Sequence, residues 1–404
     1  MSSIDYRYHS VECENIKAAG YGEHENVDFN LNFPGRSIVC GSIRLEGELE
    51  IYPTGIGNAK SNGTSRISID HMIGAHAFVG GCVTSFQNQG IVENATELPR
   101  YAKMVTTGTA TDQDMNEGKY VCELRSSDRI ISERVIMPRV VSDYGGGATG
   151  TTAAQHQGSA FIDPAQALVT AAAAQLIENP DFSIKPVIGL NNIASENTLL
   201  NYSTCGEIKL SFNLARNLEA LYGADVASTS VYRLKNVEVC YTSVPEQTQQ
   251  APISMRTSLC LKSNMNSQLS NHSARVPAIC DSMSMSFIRL NREVSQFHNN
   301  TALEKPTNIS NVKYMFNDST SSYVSYELRN RIEILHYGSK ALSLGSHNNI
   351  RTDLLSANES FVAGLDFGEV IDLKNQKFNV QIDSGIVSSD PFLVFQYYQS
   401  LISL

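Results

Sequence analysis

Long apolar runs, closely paired cysteines and an excess of basic charge are all missing from this sequence, and each absence excludes a class of protein. No run of about 18 apolar residues occurs, which excludes a membrane-spanning helix. Residues 1–10 are polar and charged and lack the apolar stretch of a secretory signal peptide. We therefore expect a protein that is made in the cytoplasm and is not secreted.

Basic residues are too scarce for a protein whose task is to coat nucleic acid. Lys and Arg number 31 against 41 Asp and Glu, and the formal net charge is -10. Binding to phosphates needs a basic surface from which counterions are released, and no cluster of Lys and Arg supplies one. We expect no sequence-specific binding of nucleic acid.

Cysteine is present but is not arranged for metal binding. None of the eight cysteines forms the CxxC pair that is typical of structural zinc sites. Most lie in alternating apolar segments, which predicts small buried side chains in a reducing compartment. Their positions are 13, 40, 82, 122, 205, 240, 260 and 280.

Composition and length indicate a folded protein with more than one core. The hydrophobic fraction is 42% and the charged fraction 18%, which is enough apolar material to fill a core. Because single cores rarely grow to 404 residues, we expect two domains of about 150 to 200 residues each.

Alternation of apolar and polar residues predicts an all-β fold. Between residues 43 and 51, Ile43, Leu45, Leu49 and Ile51 alternate with charged residues, so one face of the strand is expected to be buried and the other wet. Similar short segments, bounded by turn residues, predict further strands of a β-sandwich. They are residues 77–86, 102–107, 120–124, 187–190, 207–214 and 231–241.

Two segments have helical character. Asp163 and Pro164 are typical of the start of a helix, the Ala-rich residues 165–179 favour its interior, and Pro180 would end it. Residues 325–344 carry apolar side chains at helical spacing and predict a second helix. Three predicted strands follow each helix, those of the second set at 361–367, 378–382 and 392–401.

This repeated order predicts one structural plan used twice. The Pro-flanked, Gln-rich residues 245–252 resemble a linker between the two copies. We therefore divide the chain into an N-terminal arm (1–26), a first domain (27–245) and a second domain (246–404).

No candidate for catalysis or for binding of a metal or cofactor is strong. Asp70, His71 and His76 lie close in sequence but lack the fixed spacing of a helical zinc motif, and they are interpreted as ordinary polar or turn residues. The glycines at 145–147 and 150 lack the lysine of a phosphate-binding loop. His156, His298 and His336 have no nucleophile at a diagnostic spacing. We expect a protein that is not an enzyme, with no catalytic, cofactor-binding or metal-binding residue.

The segment GIVENATELPRY (90–101) is constrained by Pro99 and mixes Glu93, Glu97 and Arg100. Two interpretations stay open: a loop that a local ion pair holds, or a contact between subunits.

Several passages together resemble the double jelly-roll major capsid proteins of the tectivirus and adenovirus lineage of tailless icosahedral double-stranded DNA viruses and phages. The passages are RSIVCGSIRLEGELEIY (36–52), ISIDHMIGAHAFVGGCVTSFQNQGIVENATELPRY (67–101), SYELRNRIEILHYGSKAL (325–342), FVAGLDFGEVIDLKNQKFNVQIDSG (361–385) and PFLVFQYYQSLISL (391–404). With the doubled plan, the resemblance extends over nearly the whole chain.

The resemblance implies two consecutive eight-stranded jelly rolls, each with a short helix in the loop between its sixth and seventh strands. It also implies a structural virion protein without enzymatic activity that is synthesised in the host cytoplasm. Three chains would form a pseudo-hexagonal capsomer that contacts neighbouring capsomers and minor or vertex proteins. The arm would reach beneath neighbouring subunits or toward an internal membrane. The alternatives are a minor or vertex capsid protein and, from another class, a carbohydrate-binding β-sandwich.

Overall fold

The computed structural model describes residues 5–57, 67, 69–70, 72–109, 122–125, 181–192, 198–223, 226–246, 253–317, 323–342, 361–374 and 377–403. In these ranges four antiparallel sheets form, and they pair into two sandwiches. This confirms the predicted all-β class. In the same ranges, none of the helices is long and apolar enough to cross a membrane.

The first sandwich contains two sheets. Its strands within the described ranges are β1 (Arg7–Glu12), β2 (Asn26–Leu31), β3 (Arg36–Val39), β4 (Arg44–Tyr52), β5 (Val79–Phe86), β6 (Gly90–Thr96), β7 (Asp181–Ile184), β8 (Leu199–Asn201), β9 (Ile208–Leu214) and β10 (Val231–Pro245). One sheet has the order β2-β9-β5-β6. In the other sheet, β1 pairs with one edge of β10, and β3 and β4 pair with the opposite edge. β8 then pairs with β3, and β7 pairs with β4.

The passage at residues 36–52, which includes the predicted strand at 43–51, forms two strands. Gly41 has a φ of 83°, a left-handed conformation that glycine adopts without steric cost, and the chain turns there between β3 and β4. The apolar side of β4 is buried as expected, with Leu45 and Leu49 each 1% exposed. The charged side is not wholly wet, because Glu50 is buried against Lys235, whose Nζ lies 2.9 Å from the Glu50 carboxylate.

The second sandwich repeats the order of the first. Its strands are β11 (Ser254–Met265), β12 (Leu269–Ala274), β13 (Ile279–Arg289), β14 (Asn311–Asn317), β15 (Tyr323–Leu328), β16 (Ala363–Asp372), β17 (Lys377–Asp383) and β18 (Phe392–Ser403). The sheets run β11-β18-β13-β16 and β12-β17-β14-β15. When β3 with β4 and β7 with β8 are each counted as one interrupted strand, both sandwiches have eight strands in the same spatial order.

The helices of the described ranges are α1 (Leu98–Thr109), α2 (Tyr202–Cys205), α3 (Asn217–Ala220) and α4 (Arg331–Leu342), together with 3-10 turns at Gly74–Phe78, Gly189–Asn191 and Leu290–Arg292. α1 and α4 follow the fifth strand of their sandwiches, one connection earlier than expected. The reason is topological: the fifth strand is the edge of one sheet and the sixth belongs to the other, so the chain must pass between sheets there.

Three strand predictions were wrong. Residues 122–124, the part of the predicted strand at 120–124 that the structure describes, form a turn. Residues 102–107 belong to α1, where Pro99 occupies the first turn and Tyr101, Ala102 and Met104 are buried. Residues 187–190 run into a 3-10 turn, and the sixth strand lies instead at β7 and β8. The predicted helix at 325–344 begins only at Arg331, because residues before it pair with β14. The predicted helix at 163–180 lies outside the described residues.

Part of the predicted N-terminal arm is a strand. β1 pairs with β10 from Arg7 opposite Ser243 to Glu12 opposite Glu238, and the His9 ring stacks on Tyr241 at 4.7 Å between centroids. Since both faces of β1 are largely exposed, its residues need no apolar alternation, and the strand therefore has no periodic signal in the sequence. The proposed domain boundaries at 26 and 245 stay predictions.

Each sandwich has its own apolar core, but the first core extends onto the second sandwich. Phe392, Val394 and Tyr398 of β18 lie in the second core, whereas Leu393, Phe395 and Tyr397 belong to the first. β18 is therefore buried on both faces, which explains its nearly continuous apolar sequence. Six of the eight cysteines are buried, as their apolar surroundings predicted.

We predict that G338A destabilises the protein although alanine has the higher helix propensity. A Cβ at Gly338 would lie 2.6 Å from the backbone oxygen of Val362, where α4 packs on β16. The gain in propensity is about 1 kcal/mol, and we expect the clash between helix and strand to exceed it. S339A, one residue along the same helix, is the matched control. A lower denaturation midpoint for G338A alone is expected, and a midpoint at or above that of the wild type would contradict the close packing.

Candidate functional site at the junction of the two sandwiches

Asp70 and His76, two of the residues considered as metal ligands, have different partners in the structure. Asp70 is buried and both of its carboxylate oxygens accept hydrogen bonds from Lys103 Nζ, at 2.8 and 2.9 Å. His76 Nε2 lies 3.9 Å from the Glu123 carboxylate, and burial together with the charges of Arg125 and Arg44 lowers the pKa of His76. His71, His156 and the glycines at 145–147 and 150 lie outside the described residues.

One group of potential metal ligands escaped the sequence analysis. Ligand atoms of Glu46, Glu238 and Cys240 lie within 4.8 Å of one another on neighbouring strands. Hydroxyl groups of Ser183 and Ser10 already bind the two carboxylates. Glu46 is far from Glu238 and Cys240 in the sequence, so only the strand pairing reveals the group.

Arg100 has a role that neither open interpretation included. The segment 90–101 forms β6 and the start of α1, and Arg100 donates hydrogen bonds to the backbone oxygens of Ala302, at 2.9 Å, and Asn300. Its guanidinium also lies 4.3 Å from the ring centroid of Phe395. Arg100 therefore connects the first sandwich to a loop and a strand of the second.

Asp70 is the centre of a second set of contacts across the junction. Besides Lys103, its carboxylate accepts hydrogen bonds from Asn299 Nδ2, at 2.6 Å, and Thr301 Oγ1, at 2.7 Å. The backbone N–H of Met72 donates to the same carboxylate at 2.8 Å. A buried charge is stable only when it is paired and hydrogen-bonded, and this carboxylate meets both conditions. Two of its donors belong to the second sandwich.

An apolar layer lies beside these polar contacts. The rings of Tyr101 and Tyr397 stack with centroids 5.4 Å apart. The Tyr101 hydroxyl donates to Gln399 Oε1 at 3.0 Å, and the Tyr397 hydroxyl donates to the backbone oxygen of Glu97 at 3.0 Å. Burial raises the pKa of Tyr101 to about 12. Both hydroxyls thus remain protonated donors, and each one ties a sandwich to the other.

A buried acid lies in the first sandwich close to this junction. Glu93 on β6 accepts hydrogen bonds from the Thr84 hydroxyl and from the backbone N–H of Gly189, both at 2.8 Å. Burial raises its pKa to about 7, although these two hydrogen bonds act in the opposite direction. A Cβ at Gly189 would lie 3.0 Å from Met255 of β11, so the turn that Glu93 holds touches the second sandwich.

An open pocket of about 450 Å³ lies next to the junction. Its lining is mainly polar and includes Asn26, Asn94, Asn213, Arg100 and Asn300. Such amide and guanidinium groups can bind a polar ligand through hydrogen bonds. The pocket is the feature most relevant to the carbohydrate-binding alternative.

No protein-family model matches the sequence, and no curated protein matches it. Solved structures match the fold along nearly all of the chain. The Faustovirus major capsid protein has a TM-score of 0.60 at 10% identity, covering 100% of this chain and 91% of that one. A structure of the Sputnik virophage has a TM-score of 0.54 at 9% identity, with coverages of 99% and 88%. The mavirus major capsid protein has a TM-score of 0.52 at 8% identity, with coverages of 98% and 90%.

The chain has the double jelly-roll fold. The match spans both sandwiches together, and the strand order is that of two consecutive eight-stranded jelly rolls. At about 10% identity the likeness concerns the fold, and function needs its own argument. The junction described above is the place where the two jelly rolls of the fold are joined.

We predict that E93Q makes the protein less sensitive to pH. In the unfolded chain the Glu93 carboxyl has an ordinary pKa near 4.5, whereas in the folded chain the pKa is about 7. Between these values the unfolded state loses its proton first, so the free energy of unfolding falls as pH rises and levels off above about 7. Glutamine does not ionise. The difference in unfolding free energy between E93Q and the wild type should therefore shift in favour of E93Q by on the order of 2 kcal/mol from pH 5 to pH 8.

Urea denaturation at a series of pH values measures this difference. E369Q, at an exposed position of β16, controls for the loss of one negative charge. A constant difference between E93Q and the wild type across this range would contradict the raised pKa of Glu93.

Proposed function

We propose that this protein is a major capsid protein of a tailless icosahedral virus and is a component of the virion. The observation that carries the proposal is the double jelly roll itself, matched over 100% and 98% of the chain by the major capsid proteins of Faustovirus and mavirus. Single jelly rolls occur in lectins and other binding proteins. This chain contains two jelly rolls, and a buried, hydrogen-bonded junction joins them. Such a rigid arrangement suits a subunit that must keep its shape within a shell.

Three copies of the chain would form the capsomer. Each chain contributes two sandwiches of the same strand order, so a ring of three chains presents six similar units with approximate sixfold symmetry. A hexagonal outline lets identical capsomers tile a shell. Neighbouring capsomers and minor or vertex proteins are then the expected partners, and the segment before β2 is the expected contact with an internal membrane.

Exposed apolar side chains support extensive contacts with other subunits. Ile91 is 72% exposed, Ile332 67%, and Tyr8 66%. Association buries contiguous apolar patches, and we expect these side chains to lie within such contacts. No charged or catalytic centre is needed for such a role, because complementary surface supplies the free energy of assembly.

Light scattering coupled to size-exclusion chromatography tests the proposal. We expect a species of three times the chain mass of 44.3 kDa, stable on dilution, because the capsomer is a closed ring of three chains. A stable monomer would contradict the homotrimer. Imaging of particles and the copy number per particle then separate a major capsid protein from a minor or vertex one.

The carbohydrate-binding alternative predicts a different outcome from the same preparation. A monomer that is retained on a glycan array, and that loses retention when Asn94 and Asn213 in the pocket are replaced by alanine, would favour that alternative. S273A, at an exposed position of β12 away from the pocket lining, is the matched control.

A further inference from the structure

The two jelly rolls meet through contacts of two physically different kinds. On the apolar side, Phe395 and Tyr397 on the outer face of β18 join the core of the first jelly roll. Apolar contact is non-directional, so it favours burial of the sheet face without fixing one angle between the bodies. On the polar side, the loop at 299–302 is held at four positions by Asp70 and Arg100.

We propose that Asp70 is a positioning residue that fixes the angle between the two jelly rolls. Its carboxylate is 1% exposed and lies between two sets of donors. Lys103 and the backbone N–H of Met72 belong to the first jelly roll, and Asn299 and Thr301 belong to the second. Full hydrogen bonding of this charge therefore requires the two bodies to be in one relative position.

Rotation or sliding at the junction would leave buried groups without partners. If the loop moved by a few ångström, Asp70 would lose two of its donors and Arg100 would lose both carbonyl acceptors. A buried donor or acceptor without a partner carries the full cost of its desolvation, and a charged one carries more. The apolar side-chain contacts tolerate small displacements. The polar contacts do not, and together with the hydroxyl hydrogen bonds of Tyr101 and Tyr397 they select the angle.

The loop is itself braced within the second jelly roll. Glu304 Oε2 accepts a hydrogen bond from the backbone N–H of Arg289 at 2.7 Å, and its other oxygen binds Arg292. The backbone N–H of Phe361 donates to the carbonyl of Leu303 at 2.8 Å. The loop is thus fixed to β13 and to the start of β16, so a hydrogen bond from Asp70 to the loop positions the whole jelly roll. If the chain assembles as proposed above, the fixed angle would set the shape of the capsomer, and this step rests on the proposed function.

The test compares T301V with T301S. Valine has the shape of threonine without the hydroxyl, so it removes one donor to Asp70 and leaves the Lys103 pair in place. Serine keeps the hydroxyl and is the conservative rescue. Nitroxide side chains introduced as unnatural amino acids at Lys209 of β9 and Ser273 of β12, both exposed, report the distance between the two jelly rolls through electron spin resonance.

We expect a broader or displaced distance distribution for T301V and for N299A, with T301S and the control N271A matching the wild type. Circular dichroism and a label pair within one jelly roll should remain unchanged in all four variants. Unchanged distributions for both T301V and N299A would overturn the proposal. If T301V does not fold, N299A alone decides it, since its side chain donates to the same carboxylate.

Failure of this proposal is distinguishable from failure of the proposed function. The distance measurement is made on the chain as purified and does not depend on whether it assembles. A monomeric chain with a distance distribution that depends on Thr301 would retain the positioning role and reject the capsid role. A trimer with unchanged distributions would do the reverse.

Discussion

Burial of the outer face of the β11-β18-β13-β16 sheet is the constraint on which the rest of the structure depends. A sheet normally covers one apolar face and leaves the other wet. Here β18 is apolar on both faces, since Tyr398 lies in the second core and Tyr397 in the first. The second jelly roll therefore cannot expose that sheet, and the first jelly roll covers it. The polar groups at the contact, Asp70 and Arg100 among them, are buried as a consequence and need partners within the chain.

Much of the fold could be predicted from local patterns, because strands alternate with a period of two and turns require particular residues. Residues 207–214 and 392–401 were predicted as strands for that reason, and β9 and β18 confirm them. The prediction of a strand at residues 102–107 was wrong because a short apolar segment fits a buried strand as well as a helix. The deciding signal was Pro99, which begins a helix well but was interpreted as a loop constraint.

The junction could not be predicted in the same way. Asn299 and Thr301 lie 229 and 231 residues from Asp70 in the sequence, and nothing in the local pattern around any of the three relates them. Arg100 was considered for a local ion pair or a contact between subunits, whereas its acceptors are backbone carbonyls of the same chain, which any sequence provides. The architecture was recognisable although the identity to solved structures is near 10%. Strand order depends on where apolar residues lie, and many different apolar residues can occupy those positions.

Buried ionisable groups can indicate a catalytic site, but the two that lie near the junction have their partners within the chain. Glu93 has a pKa raised to about 7 and Asp70 is almost wholly buried, yet their hydrogen-bond partners are hydroxyl groups, amides and a lysine of the same chain. A catalytic group must leave some of its hydrogen-bonding capacity to the substrate, whereas Asp70 is occupied from both sides of the junction. The buried charge of Asp70 lies where the two jelly rolls meet, so the cost of its desolvation is offset by donors from both of them.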